Sequence, residues 1–206
     1  RQRIDLKNIK SASQILANSR FSKEFIEKSY QMKAKICYLG VDTNVFKPLN
    51  IDKSYDVLFI GNKDTTYQLL IDALKVFRKK PKIKTIFREK GQSISDKDLM
   101  VIYNKSKVLV ALNKNEPFGL IPIEAMACGT PVVAVAEGGY LETIVDDKTG
   151  FLVPRSVKDL YKKINKILCD DKLRDGFSNQ ARKHVLKNWT WDKSINGFLK
   201  IIDYEK

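Results

Sequence analysis

Histidine occurs once in the 206 residues, at His184, and cysteine three times, at Cys37, Cys128 and Cys169. A single histidine excludes a histidine-built metal cluster and leaves little support for a Ser-His-Asp arrangement. The cysteines, odd in number and far apart, offer no zinc spacing and fit the reduced thiols of a cytoplasmic protein. No apolar run reaches the roughly 18 residues that suggest a membrane span. The opening RQRIDLKNIK has no apolar signal core, although a chain that begins on Arg does not report what precedes it. Six prolines and ten glycines are modest for this length, and with no repeat, low-complexity stretch or flexible linker they indicate one compact unit. Acidic residues are the minority, 24 against 38 Lys and Arg, giving a net charge of +14 and a pI near 9.6. That excess favours anionic partners: a nucleotide diphosphate, the headgroups of an anionic membrane surface, or nucleic acid. Most of the lysines nonetheless read as solvated helix faces that keep the protein soluble. With 43% hydrophobic and 30% charged residues the chain can bury a sizeable core, and its length suits one full domain plus a partial element.

The stretch EPFGLIPIEAMACGTPVVAV, residues 116–135, organises the rest. An apolar run at 108–112 precedes it and another at 130–135 closes it, so a short helix is expected between two strands. Pro122 sits where a first-turn proline is tolerated, and Gly129 where a glycine can end a helix in a left-handed turn. Glu116 in the entering loop and Glu124, expected in the first turn, flank Phe118, Gly119, Leu120 and Ile121. Backbone N–H groups at such a helix start have no intrahelical partner and, with the helix dipole, can hold a phosphate. A carboxylate on each side suits sugar or ribose hydroxyls, because it only accepts hydrogen bonds. An equally weighted reading is structural. The dipole alone favours a first-turn Glu, and Ala125, Ala127 and Gly129 let a helix lie close to a sheet.

The string EPFGLIPIEAMACGTPVVAVAEGG resembles the donor-site signature of family 4 glycosyltransferases of the GT-B fold, with two glutamates separated by seven residues. ANSRFSKEFI and LGVDTNVFKP upstream, DDKTGFLVP downstream and NWTWDKSINGFLKIIDY at the end resemble the same family in the same order. The resemblance runs from about Ala17 over nearly the whole chain. It implies a transferase that uses a nucleotide-sugar donor, usually retains anomeric configuration, and needs neither a catalytic metal nor another cofactor. It further implies that Glu116 orients the donor sugar and that Glu124 accepts hydrogen bonds from the ribose. The acceptor, the sugar and the base are not specified. The chain departs from the family in the loop after the 57–60 strand. There the family usually has an Arg directly after the glycine and a Lys several residues later, both holding the diphosphate. Here Asn62 follows Gly61, the loop is shorter, and Lys63 is the nearby cation; Arg88, after the 83–87 strand, is a second candidate.

The remaining pattern is α/β with a parallel sheet. A strand at 13–17 leads to a helix over 22–31, with Ser22 as N-cap and Phe25 and Ile26 on one face; a strand follows at 35–39. Loop 61–66 precedes a helix over 67–78 in which Leu69, Leu70, Ala73, Leu74 and Phe77 repeat at helical spacing. Right-handed crossovers place that loop at the C-terminal edge of the sheet, where open α/β folds bind ligands. Asp96-Lys97-Asp98 follows no strand, so with Ser95 it reads as the start of a helix over 98–104 rather than as a metal-binding D-x-D. Gly138-Gly139 permits close approach by a ligand, or a tight turn, before a helix over 140–145. A strand at 151–153 is followed by a helix from Ser156 to about 169, with Leu160, Ile164, Ile167 and Leu168 buried. Helices over 172–187 and 192–204 bracket Trp189 and Trp191, which read as core or interface packing.

The expected fold class is therefore α/β, a doubly wound Rossmann-like parallel sheet forming a GT-B C-terminal domain with a remnant of the N-terminal domain. Residues 1–40 would end the acceptor domain and enter the interdomain crossing, 41–188 would form the donor-binding domain, and 189–206 would cross back. The expected location is cytoplasmic, with peripheral membrane attachment as a candidate. Since most of an acceptor half is not in this sequence, a missing N-terminal domain or a partner chain is expected. A nucleotide-sugar-binding half without activity of its own is the alternative, and a basic nucleic-acid binder ranks below both.

Overall fold

The computed structural model describes residues 9, 11–87 and 94–203. Five parallel strands form its sheet: β3 Tyr55–Gly61, β4 Ile83–Phe87, β5 Ser106–Ala111, β6 Val132–Val135 and β7 Gly150–Val153, in spatial order β4-β3-β5-β6-β7. The inner strands read as unbroken apolar runs because helices cover both faces. Val57 to Phe59, Val108 to Val110 and Val132 to Val135 have no solvent exposure. Helices α2 (Thr65–Lys75) and α6 (Val157–Cys169) pack together, while α4 (Leu120–Ala127) packs against α3 (Asp96–Asn104) and α7 (Asp171–Asn188). Chain order reverses between β3 and β5, so the loops leaving those strands part and open a crevice at the C-terminal edge. The doubly wound sheet is the one expected.

Element ends moved where a side chain outside the apolar pattern caps them. The Asp64 carboxylate accepts the Thr66 N–H at 2.8 Å and its hydroxyl at 2.6 Å. Hence α2 starts at Thr65, two residues early, leaves a loop of only 62–64, and ends at Lys75 rather than 78. Asp96 and Asp98 lie in the first turn of α3. Ser95 Oγ accepts the Asp98 N–H at 3.2 Å and donates to its carboxylate at 2.7 Å, which is the capping arrangement.

The first segment is smaller than expected. Strands β1 (Leu16–Ala17) and β2 (Lys35–Ile36) are two residues each, paired in parallel around α1 (Arg20–Tyr30). Ser19, not Ser22, caps α1, its Oγ accepting the Ser22 N–H at 2.9 Å. No residue of α1 is buried, and Phe25 is 63% exposed, so the Phe25–Ile26 face meets no core among the described residues. At the other end α5 (Tyr140–Thr143) is shorter than expected, and α8 spans Trp191–Asp203. Ile195, Phe198, Leu199 and Ile202 of α8 are exposed at helical spacing. The tryptophans divide: Trp189 is buried against Tyr38 and Phe118, whereas Trp191 is 48% exposed.

Candidate functional site

The loop from β5 to α4 turns through Asn115 (φ 52°) and enters the helix at Gly119, whose φ of +99° is left-handed. A Cβ there would lie 3.0 Å from the Tyr140 ring and 3.2 Å from the Thr143 hydroxyl, so conformation and space both require glycine. Pro122 is the third helical residue, where its missing N–H costs nothing, and Gly129 (φ +74°) follows the helix end. Among the described residues no protein acceptor meets the N–H of Gly119, Leu120 or Ile121. The helix start thus presents its donors outward.

Two expectations about this loop need correction. Glu124 is the fifth residue of α4, just past the first turn where it was expected, so its place is not explained by a first-turn dipole preference. There its Oε2 accepts the Tyr103 hydroxyl at 2.7 Å, and Tyr103 is fully buried. Phe118 is also buried, its ring 6.2 Å from Tyr38 and 5.5 Å from Trp189 between centroids. Its side chain anchors the loop, leaving only its backbone to a ligand.

The acids stand on different sides of the helix start. Glu124 lines a cleft of about 540 Å³ with Leu120 and Ile121, walled by Ile60, Ile86 and Leu99. Glu116 is half-buried at the crevice above β3 and β5, where Asn113 Nδ2 donates to its Oε2 at 3.2 Å. Gly61 has no room for a side chain, since a Cβ would lie 2.8 Å from the Phe59 ring and 3.2 Å from the Asn113 Oδ1. Gly138 and Gly139 serve close approach by the chain itself. The Gly139 N–H donates to the Glu116 carbonyl at 2.8 Å, and a Cβ on Gly138 or Gly139 would come within 2.5 Å of the Glu116 or Phe118 backbone.

Asn62 and Lys63 are exposed beyond β3, and Arg88 lies outside the described residues. The structure adds Lys114, on the turn just before Glu116. Its charge helps hold two carboxyls below their usual range: Asp64, where the Thr66 hydroxyl contributes most, and Glu137, where Arg155 does. Those acids lie just beyond the strands on either side of β5, so Lys114 overlooks the crevice. Arg155 is already engaged, donating to both oxygens of Glu137 at 3.0 and 2.6 Å and to the Leu112 carbonyl at 2.9 Å. Sequence reasoning missed Tyr103, Asn113, Lys114 and Arg155. Only Asn113 and Lys114 carried a usable signal, being polar residues directly after a buried strand. Burial pushes the Cys128 thiol up to about 12, which rules it out as a nucleophile at neutral pH. Among the described residues no three His, Cys, Asp or Glu side chains converge as a metal site.

Residues 90–184 match the family model described as glycosyl transferases group 1. The crystal structure of the C-terminal domain of a glycosyl transferase group 1 family protein, LpcC of Francisella tularensis, superposes with a TM-score of 0.60 at 25% identity, covering 73% of this chain and 99% of that one. The chain has the fold of a GT-B glycosyltransferase C-terminal domain. HepE of Anabaena, crystallised with UDP-glucose, shares the fold of this GT-B domain with a TM-score of 0.81 at 20% identity, over 98% of this chain and 67% of HepE. Over 105 residues the chain is 35% identical to the D-inositol 3-phosphate glycosyltransferase of Salinispora arenicola, half of this chain and 23% of that protein. It spans half or less of the length of the first curated relatives it matches.

Proposed function

We propose that this domain binds a nucleotide-sugar and transfers the sugar to an acceptor, with retention of configuration and without a metal. The observation that carries the reading is the outward-facing amide set of Gly119, Leu120 and Ile121 between Glu116 and Glu124. The diphosphate would sit on those amides, which would stabilise the charge it gains as it departs. Gly61 permits close approach from β3, and Lys63 and Lys114 supply the cationic character that Asn62 does not. The ribose would hydrogen-bond Glu124, whose carboxylate can accept donors besides Tyr103, with the base against the apolar wall of the cleft. Glu116, braced by Asn113, would orient the donor sugar.

The test is a thermal-shift panel of uridine, guanosine and adenosine diphosphates and their sugar conjugates. A binder at about 100 times its dissociation constant should add roughly 2.7 kcal/mol of stability. Because HepE, of the same fold, was crystallised with UDP-glucose, the uridine series is the first to try. No shift across the panel would count against the whole reading.

A second reading has its own support: the uncovered apolar stripe of α8 and the partial coverage of the relatives favour a donor half that acts only with an acceptor domain or partner chain. Sugar transfer by this chain alone would dismiss it. Nucleic-acid binding ranks lower, since it would fall steeply with salt and ignore both Glu116 and Glu124. An anionic membrane surface has a specific candidate contact in Arg78, Lys79, Lys80 and Lys82, near the start of β4 and away from the donor cleft. Co-sedimentation with anionic but not neutral vesicles, lost at high salt, is the expected outcome. No helix among the described residues is long and apolar enough to cross a membrane.

A further inference from the structure

Glu142, on α5 just behind the paired glycines, has no role in the reading above. Its carboxylate reaches far back along the chain. Oε1 accepts the backbone N–H of Arg20 at 2.8 Å and of Phe21 at 3.3 Å, while Oε2 accepts the Tyr38 hydroxyl at 2.9 Å. Arg20 and Phe21 open α1, so a carboxylate from a distant part of the fold satisfies two orphan donors where negative charge suits the helix dipole. Ser19 caps the same helix locally, which makes Glu142 a second, long-range cap. The Glu142 side chain is 12% exposed and that of Arg20 is 74% exposed, at a separation of 3.9 Å. The backbone donors and the Tyr38 hydroxyl therefore matter more here than the ion pair.

Tyr38 carries the connection further. Its ring stacks on Phe118 at 6.2 Å with 29° between planes and meets Trp189 edge-on at 5.2 Å. Burial and then the bond to Glu142 push its phenol above the ordinary value, which keeps it a donor. On the other side of the loop, Gly139 lies three residues before Glu142 and holds the Glu116 carbonyl. The same carboxylate thus ties the first segment to both supports of the 116–119 loop.

We propose that Glu142 is a positioning residue: it fixes α1 against the donor unit and, through Tyr38 and Phe118, sets where the Gly119–Ile121 amides point. Its functional consequence rests on the diphosphate reading of those amides, but the latch itself can be tested without nucleotide. Residue-resolved amide exchange by NMR on the full chain reads it. In Glu142→Ala, exchange should accelerate about tenfold or more at the Lys23 N–H inside α1 and at the Gly139 N–H bonded to Glu116. Glu142→Gln, which keeps an acceptor, should recover part of both. Tyr38→Phe leaves the cap on α1 and should accelerate Gly139 alone; it also decides the matter if Glu142→Ala does not fold. Acceleration confined to α1 overturns the link to the loop, and no acceleration at either place overturns the latch.

A separate arm titrates wild type and Glu142→Ala with UDP, GDP and ADP. For whichever binds wild type, the variant should lose about tenfold in affinity, and equal affinity overturns the functional consequence. Wild type that binds none of the three overturns the donor reading and that consequence with it, while the exchange comparison still decides the latch.

Discussion

Glu124→Gln is expected to weaken nucleoside diphosphate binding by about 100-fold. Hydrogen bonds to a charged group contribute roughly 1.5–3 kcal/mol each, and the neutral amide gives up that charge assistance for both ribose hydroxyls. Gln is chosen over Ala because it retains an acceptor for the buried Tyr103 hydroxyl, which sits 2.7 Å from Glu124. The loss can then be assigned to the ligand rather than to a disturbed core. Isothermal titration with the diphosphate that wins the thermal panel is the measurement, with Glu116→Gln as the comparison. Glu116 stands on the other side of the amides, over the crevice, so its variant should keep nucleotide affinity within about twofold and lose sugar transfer. If both variants bind like wild type, or if both lose affinity equally, the two acids do not divide ribose and sugar between them.

Gly139→Ala should damage both stability and binding through one added methyl group. The Gly139 backbone is at φ −65°, so alanine meets no conformational strain there. The obstacle is the Phe118 main chain, whose Cα would lie 2.5 Å and whose carbonyl oxygen 2.6 Å from the new Cβ. Backbone cannot rotate away as a side chain can, so the 116–119 loop must shift. Overpacking of this kind costs about 1–3 kcal/mol. A displacement of about 1 Å at a positioned site can cost on the order of 100-fold. A lower melting temperature together with at least tenfold weaker diphosphate binding is therefore expected. Gly176→Ala is the control, since nothing lies within 4 Å of its Cβ position in the interior of α7. Replacing a helical glycine there should be neutral or stabilising by up to about 1 kcal/mol. Wild-type stability in Gly139→Ala would mean that the loop is softer than its packing implies.

How much of this was legible in the sequence depended on the range of the interaction. The sheet strands could be read because burial on both faces writes an unbroken apolar run, as in VLVA and VVAV. The start and stop of α4 could be read because Pro122 and Gly129 act through their own backbone. The capping role of Ser95 with Asp96 and Asp98 was legible for the same local reason. Ser22 was mistaken for the α1 cap because Ser19 is equally able to cap, and what decides between them includes Glu142, more than 100 residues away. Glu124 was placed in the first turn because Pro122 was read as lying near the helix start, whereas the helix already begins at Leu120, and the residue that holds Glu124, Tyr103, comes from another helix. Phe118 looked like a ligand contact because it sits in a loop, and its burial depends on Tyr38 and Trp189 converging from opposite ends of the chain. The Gly138-Gly139 pair announced a close approach without saying that the approaching object is the chain's own loop.

A grip made of main-chain N–H groups has an evolutionary corollary. If the diphosphate sits as proposed, Leu120 and Ile121 offer it atoms that every residue but proline possesses, so their side chains could drift without releasing it. Cations on neighbouring loops would enjoy no such protection, and Asn62, where the resembled family usually has an Arg, would be the kind of replacement that follows. Selection would act there on the shape of the peptide path, holding Gly119 in place while the letters at 120 and 121 could change.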